Sequence, residues 1–253
     1  MKPALLAITA LSLTSVSVIA ADLEPPIKAP LAPPPFIWTS CYGGGQAGGG
    51  FGQKALNDSA GIVSPISGFT SANLNTSGYM LGGQIGCDYQ FASNWAVGVE
   101  GAASGGNIGG SVGVATPGLP GDSATFKETT DLLTSVTARV GYAWNNWLLY
   151  GKGGAAWASD RYSAFDSLAT YDFEGSETRF GWTAGAGLEW AFSDIWSVRF
   201  EYDYYGFGTR SVTFIDNVSG TVGPLDIRQN IQVVKLGFNL HVFGQPGAWP
   251  LGW

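Results

Sequence analysis

Charged side chains are scarce in this sequence. Only 12% of its 253 residues are Asp, Glu, Lys or Arg, whereas ordinary globular domains carry about 25%. The net charge is −7 and the few basic residues are not clustered, which argues against nucleic acid as a partner. A chain of this length with so few charges does not present a normal solvated surface, so the shortage indicates a membrane environment.

Long apolar runs are missing after the first twenty residues. Residues 1–20 combine Lys2, an apolar run from Ala4, and Val18 and Ala20 at the −3 and −1 positions of a cleavage site, which is typical of a secretory signal peptide. A membrane anchor is the alternative, but the run is short for a helix that needs about 20 residues to span a bilayer. Only helices and closed barrels satisfy the backbone in lipid, so the exported chain is free to insert as a barrel.

Strict alternation dominates residues 179–205. Apolar residues from Phe180 to Phe192 occupy every second position and Arg179 and Glu189 the other, and the alternation resumes after Ser193 and Asp194. This pattern predicts two strands joined by a tight turn. The aromatic residues gather at the turn on both strands, which favours a girdle at a membrane interface, with the apolar face toward lipid and the charged face toward a closed lumen.

The same pattern recurs along the chain about every 50 residues and predicts an all-β, eight-stranded antiparallel up-and-down transmembrane β-barrel. Short turns are expected at 92–94, 145–146 and 193–194, and long loops at about 53–75, 111–127, 163–175 and 212–226. The predicted strands are 40–52, 76–91, 95–110, 128–144, 147–162, 177–192, 195–211 and 227–243. The first strand is unusual, since its outward face is mostly Gly and Ala, which indicates close backbone approach or strong curvature.

Two sets of side chains follow from this assignment. An interface girdle flanks the short turns, namely Tyr89, Phe91, Trp95, Tyr142, Trp144, Trp147, Trp190, Phe192 and Trp196. Ten charged residues take inward positions, namely Asp88, Glu100, Arg139, Lys152, Arg179, Glu189, Arg199, Glu201, Asp203 and Lys235. Because an eight-stranded barrel is just wide enough for side chains, we predict a lumen ion-pair network; a narrow ion pathway is the alternative.

Cysteine and histidine are rare. Cys41 and Cys87 both face outward at the same end, and export permits their oxidation, so we expect a cross-strand disulfide, with two free thiols as the alternative. His241 is the single histidine. Barrel enzymes need a nucleophile and a base together near the outer leaflet, and His241 lies at the opposite end. We therefore predict no enzyme, and no catalytic, cofactor-binding or metal residues.

The segments GWTAGAGLEWAF and WSVRFEYDYYGFG, together with WLLYGKGGAAW, VTARVGYAW and VVKLGFNLHVF, resemble the alphaproteobacterial outer membrane immunogenic proteins. These are small barrels similar in architecture to the transmembrane domain of OmpA. The resemblance implies an outer-membrane barrel with antigenic surface loops and no established catalytic residues. The tail after Phe243 departs from it, because such barrels usually stop at an aromatic residue that the assembly machinery reads.

The expected organisation is a signal peptide (1–20), a proline-rich periplasmic arm (21–37), an outer-membrane barrel (38–243) and a C-terminal tail (244–253). The arm is a spacer or a partner-binding segment. Expected partners are outer-membrane lipid, lipopolysaccharide and the barrel assembly machinery. The loop sequences do not identify a host or surface ligand. We expect a structural, surface-exposed protein with periplasmic termini. The alternatives are a narrow porin-like channel for small ions or solutes, and a surface adhesin or ligand-binding protein.

Overall fold

A computed structural model of the protein describes residues 36–57, 71–115, 123–166, 172–215 and 222–242. The predicted signal peptide, most of the arm and the tail lie outside these ranges. Within them, each strand pairs antiparallel with the next, and β1 pairs with β8 to close the barrel. The fold class predicted from the sequence is therefore confirmed. The strands are β1 (Ser40–Asn57), β2 (Ser71–Gln90), β3 (Trp95–Ala115), β4 (Ser123–Trp144), β5 (Trp147–Asp166), β6 (Asp172–Ala191), β7 (Trp196–Ile215) and β8 (Val222–Val242).

The barrel is apolar outside and polar inside. Outward residues of β2 such as Ile85 are up to 71% exposed, whereas Glu201 of β7 points into the lumen and is 0% exposed. This inversion of the usual globular arrangement follows from the period-two alternation, because successive side chains of a strand lie on opposite faces of the sheet. No helix among the described residues is long and apolar enough to cross a membrane.

Three short turns lie at one end of the barrel, which we name the turn end; the opposite end is the loop end. The turns are residues 91–94, 145–146 and 192–195, close to the predicted positions. Asn94 and Asn145 have positive φ values of 66° and 52°, a conformation that Asn adopts more readily than most residues. The conformational preference of Asn therefore favours tight turns at two of these three positions.

The strands extend farther toward the loop end than the sequence pattern predicted. They contain 18 to 22 residues, about twice the 9–11 residues that a tilted strand needs to cross a bilayer. The predicted loops were therefore wrong at their flanks: residues 53–57, 71–75, 111–115, 123–127, 163–166, 172–175, 212–215 and 222–226 belong to strands. Beyond the bilayer the outward face no longer has to be apolar, so the alternation disappears although the pairing continues.

Aromatic side chains form two belts on the outer surface. The lower belt is the predicted girdle, in which Trp147 and Trp190 stack with ring centroids 5.7 Å apart. The upper belt contains Trp157, paired with Phe180, and Trp182, paired with Tyr204. Trp147 and Trp157 are ten residues apart on β5; at about 3.3 Å per residue and a tilt of about 40° this is about 25 Å, the height of the apolar band of outer-membrane barrels.

The glycines of β1 make room for lumen side chains. A Cβ atom on the inward Gly44 would lie 1.9 Å from the carbonyl oxygen of Phe238, and one on Gly48 would lie 2.4 Å from that of Val234. A Cβ atom on the outward Gly45 would meet nothing closer than 3.8 Å. Close approach therefore explains the inward glycines of this strand, while the outward ones are not required by packing.

Candidate functional site

The main ion-pair network fills the lumen between the turn end and the middle of the barrel. It contains five carboxylates and four cations, namely Asp88, Glu100, Glu189, Glu201, Asp203, Arg139, Lys152, Arg199 and Lys235, all of them buried. Glu100 lies at its centre, where it pairs with Arg199, with Arg139 at 3.4 Å and with Lys152 at 3.1 Å. The near balance of charge is what a buried site needs, because an unpaired charge in the interior is very costly.

The network links strands around the whole barrel. Lys152 of β5 pairs with Glu201 of β7 at 2.9 Å and with Asp203 at 3.3 Å, and Lys235 of β8 pairs with both of these carboxylates. Arg139 of β4 pairs with Glu189 of β6 at 3.0 Å and with Asp88 of β2 at 3.6 Å. Every one of these groups has at least one opposite charge within 4 Å, so the network acts as an electrostatic filling of the lumen.

Neutral side chains complete the network. The hydroxyl of Tyr42 donates to Glu100 at 2.8 Å, and that of Tyr150 donates to Glu201 at 2.6 Å. The Arg139 guanidinium lies 3.9 Å from the ring centroid of Tyr150, within the range of a cation–π contact. Glu100 and Glu201 thus each accept a hydrogen bond from a tyrosine in addition to their ion pairs. These hydrogen bonds offset part of the free energy that burying the two carboxylates costs.

An apolar cap closes the turn end of the lumen. Trp38, which precedes β1, is 0% exposed and packs with Phe36, Ala96, Ala143, Leu148, Tyr150 and Ala191. The backbone N–H of Trp38 donates to the side-chain oxygen of Gln90 at 2.8 Å, which ties the segment to β2. The sequence pattern placed Trp38 only at the start of the barrel and did not identify it as a plug, since a lone aromatic residue before a strand carries no periodic signal.

His241 lies directly above this cap. Ser40 Oγ is 2.8 Å from its Nδ1, and Ser197 Oγ is 2.8 Å from its Nε2. The Ser197 hydroxyl donates to Glu189 at 2.5 Å, so the Nε2–H group is the donor to Ser197. The ring also contacts those of Phe36, Trp38 and Tyr42. Both nitrogens and the ring faces are therefore occupied, as in a structural lumen residue.

A second apolar layer lies above the main network. It consists of buried side chains from six strands, namely Met80, Ile108, Leu133, Ala156, Ala158, Tyr205, Phe207, Ile231 and Val233. The rings of Tyr205 and Phe207 are parallel, with an interplanar angle of 5° and centroids 6.4 Å apart. This mid-lumen layer separates the main network from the charges at the loop end.

Those charges form a separate loop-end cluster. Lys54 pairs with Glu128 and lies 3.6 Å from Asp160, and Arg179 Nε lies 3.3 Å from Asp160. The prediction of one network of ten residues was wrong in this respect, because Arg179 belongs here and not with the other nine. The sequence interpretation also missed Lys54, which it placed in a loop because the apolar alternation of β1 ends before Gln53.

Strand β5 contributes inward residues to all four layers of the lumen, so its sequence shows their order along the barrel. Its inward residues run from Leu148 and Tyr150 in the turn-end cap to Lys152 in the main network. Ala156 and Ala158 follow in the mid-lumen layer, and Asp160 lies in the loop-end cluster. The lumen therefore alternates apolar, ionic, apolar and ionic along its length.

The outer surface holds the remaining predicted residues. Cys41 and Cys87 lie directly opposite each other on β1 and β2 and form a disulfide. Tyr89 contacts Phe91, Trp95 contacts Tyr142, and Trp196 contacts Phe238 in the lower belt. Among the residues that the structure describes, no group of three His, Cys, Asp or Glu side chains is arranged to hold a metal ion.

Comparison with known proteins identifies the family of this barrel. Residues 8–239 match the model of the outer membrane protein beta-barrel domain. The chain belongs to this family. The 31 kDa outer-membrane immunogenic protein of Brucella melitensis is 32% identical over 251 residues, which cover 94% of this chain and 99% of that protein. The resemblance inferred from the sequence motifs is therefore confirmed.

A second immunogenic protein and a solved structure also match the chain. The 25 kDa outer-membrane immunogenic protein of Brucella abortus is 28% identical over 226 residues, which cover 87% of this chain and 90% of that protein. Among solved structures, the outer membrane protein OprG from Pseudomonas aeruginosa matches with a TM-score of 0.48 and 14% identity, over 82% of this chain and 99% of that chain. Family membership places the protein among outer-membrane β-barrels.

Proposed function

We propose that this barrel is a non-catalytic, structural protein of the outer membrane whose lumen is closed and whose loop-end segments face the outside. The observation that carries the proposal is the layered lumen. A water-filled path along the axis would have to pass two apolar layers and a nearly charge-balanced ion-pair network. Such a filling stiffens the wall and seals the membrane at the same time.

The network itself favours a plug over a pathway. A mobile ion moving along the lumen would have to replace an existing partner of Glu100 or Glu201, each of which already has three cations within 4 Å. Removing one partner of a buried pair costs about 3–5 kcal/mol. The charges that suggested a conduction route from the sequence are therefore already satisfied by one another.

The orientation follows from the two ends of the barrel. Short turns are periplasmic and long loops extracellular in bacterial outer-membrane barrels, so both the turn end and the chain termini would face the periplasm. Lys127, Arg161 and Arg228 are exposed near the loop end, where cations face the phosphate groups of lipopolysaccharide. Lipopolysaccharide and, during insertion, the barrel assembly machinery are the partners that this orientation implies.

Catalysis is not part of the proposed role. His241 is the only histidine of the chain, and it lies against the turn-end cap with both nitrogens hydrogen-bonded. A general base must reach a proton of the substrate, and here Phe36, Trp38 and Tyr42 surround the ring. The site stabilises the lumen and leaves no exposed nucleophile beside its base.

Solute flux tests the proposal. Purified protein is reconstituted into vesicles loaded with a small anionic dye or with a potassium-sensitive probe. Release of the dye, or entry of potassium, is compared with that of protein-free vesicles. A closed lumen predicts release at the protein-free rate. Release that rises with protein content and depends on solute size would instead assign the channel function.

A further inference from the structure

The barrel wall is incomplete between β6 and β7. Pairing between these strands runs from Ala191 and Ser197 up to Trp182 and Gly206, where it ends. Farther toward the loop end, the described part of β6 (Asp172–Gly181) pairs with β5 alone, and β7 from Gly208 pairs with β8 alone. The other seven strand pairs run farther from the turn end. Pairing between β2 and β3 also stops before both strands end, at Ser77 and Gly109, but it extends over more residues than pairing between β6 and β7.

The end of the pairing coincides with a β-bulge. The register of β7 against β8 shifts between Gly206 and Gly208, and Gly208 has a φ value of +67°. This left-handed conformation favours glycine, and a bulge bends its strand. The regular pairing of β7 with β6 therefore ends where the bulge in β7 begins.

The opening holds an apolar groove of about 520 Å³, lined by Phe180, Trp182, Phe207, Ala155, Gly181 and Gly206 among others. The glycines are needed there: a Cβ atom on Gly206 would lie 2.8 Å from the Trp182 indole, and one on Gly181 would lie 2.7 Å from the Phe207 ring. Two aromatic side chains thus lie against bare backbone, and their rings form the walls of the groove.

The groove opens on the lipid-facing surface of the barrel, which indicates what kind of molecule can enter it. Phe180 and Trp182 belong to the upper belt and are more than half exposed on the lipid-facing surface. Ala155, which is partly buried, is aligned with the exposed Val136, so the groove is continuous with the hydrocarbon-facing wall. Its floor is Phe207, which belongs to the mid-lumen layer. A ligand that enters here comes from the lipid side and meets mainly apolar surface.

We propose that the opening between β6 and β7 is a binding site for one acyl chain of a surrounding lipid. The chain end inserts between Phe180 and Trp182 and rests on Phe207. Its volume is in the range of small-ligand sites, about 300–1,000 Å³. Tyr205 stacks behind Phe207, and the main network lies below, so the site ends at the mid-lumen layer and does not open a route along the axis.

Photo-crosslinking tests this site. The full-length mature protein is reconstituted in phosphatidylethanolamine–phosphatidylglycerol vesicles that contain a phospholipid with a diazirine near the end of one acyl chain. After illumination, adducts are mapped by mass spectrometry. Phe207 is only 3% exposed, whereas Leu81 on β2 is 60% exposed. Contact with bulk lipid alone would label β2 and spare the buried Gly206 and Phe207; an inserted chain labels these two residues several-fold more than β2.

A matched pair of variants separates the groove from the surrounding surface. Ala155→Phe fills the groove, and Ala103→Phe adds the same side chain at an exposed position of β3. If an acyl chain occupies the groove, Ala155→Phe removes most adducts at Gly206 and Phe207, and Ala103→Phe leaves them unchanged. Adducts spread according to exposure in the wild-type protein, or unchanged in a folded Ala155→Phe variant, would overturn it; if that variant does not fold, the wild-type distribution alone decides.

Discussion

Arg199 of β7 donates a hydrogen bond to Glu100 of β3, which lies on the opposite wall of the eight-stranded barrel. The two strands are four positions apart around the ring in either direction, so this contact crosses the full width of the lumen. Such a contact leaves no room on the axis at that level. It also couples the stability of two distant strands to one ion pair.

Loss of Glu100 should therefore destabilise the barrel strongly. Glu100→Ala leaves Arg199, Lys152 and Arg139 without their shared carboxylate, and we expect a loss of about 3–5 kcal/mol in the free energy of unfolding. Equilibrium unfolding in urea with vesicle-bound protein, followed by tryptophan fluorescence, measures it. Arg161 is the control, because its side chain is 75% exposed and pairs with Asp131 at 3.3 Å; Arg161→Ala should cost less than about 1 kcal/mol. Equal losses would contradict the buried network.

Adjacent glycines of β1 should respond differently to the same change. Gly44→Ala places a Cβ atom against the carbonyl oxygen of Phe238, whereas Gly45→Ala places one at an ordinary contact distance of 3.8 Å from its nearest neighbour, on the lipid-facing side. We expect Gly44→Ala to reduce the folded fraction sharply and Gly45→Ala to leave it unchanged. The shift in electrophoretic mobility between heated and unheated samples measures the folded fraction. Similar behaviour of both variants would show that the strand is not packed as described.

The disulfide should contribute to stability from the lipid-facing surface. Cys41 and Cys87 are separated by 46 residues, and a cross-link that closes a loop of this length stabilises by about 2–4 kcal/mol. Replacing both cysteines by Ser should lower the free energy of unfolding by that order. Denatured, unreduced wild-type protein should show no reactive thiols; a count of two would mean that the bond does not form.

Labelling of intact cells tests the orientation. Arg161→Cys introduces a thiol near the loop end, and Asp194→Cys introduces one in a short turn; both positions are exposed. A membrane-impermeant maleimide should label the first variant on intact cells and the second only after the outer membrane is permeabilised. The unsubstituted protein gives the background, since its cysteines are paired. Labelling in the reverse order would place the turn end outside.

Sequence alone was sufficient for the parts of the fold that contact lipid. The alternation of Trp182, Trp190 and Phe200 with Thr183, Glu189 and Arg199 predicted strand number, parity and the turn end, because hydrocarbon on one side forces an apolar residue at every second position. The loop-end parts of the strands were not predictable in this way, since that requirement ends above the upper belt.

Contacts between distant strands were beyond the sequence pattern. Parity showed that Arg179 and Glu100 face inward, but not that Arg179 would join Lys54 and Asp160 in a separate cluster. The layer in which an inward side chain lies depends on the tilt of its strand and on the register between neighbouring strands. The sequence of a single strand does not give either of these. The lateral opening could not be predicted for the same reason. The bulge at Gly208 is defined by how β7 pairs with β6 and β8, and the sequence of β7 alone does not give that pairing.

Planar-bilayer recording on purified protein tests the closed lumen most directly. A sealed lumen predicts no conductance steps above the noise for the wild-type barrel, across a range of voltages and salt concentrations. The double variant Ile108→Ala and Phe207→Ala, which thins the mid-lumen layer while leaving the main network intact, should also remain closed. Reproducible steps from the wild-type protein, with ion selectivity that changes in Lys152→Gln, would contradict a sealed barrel and assign an ion pathway through the network.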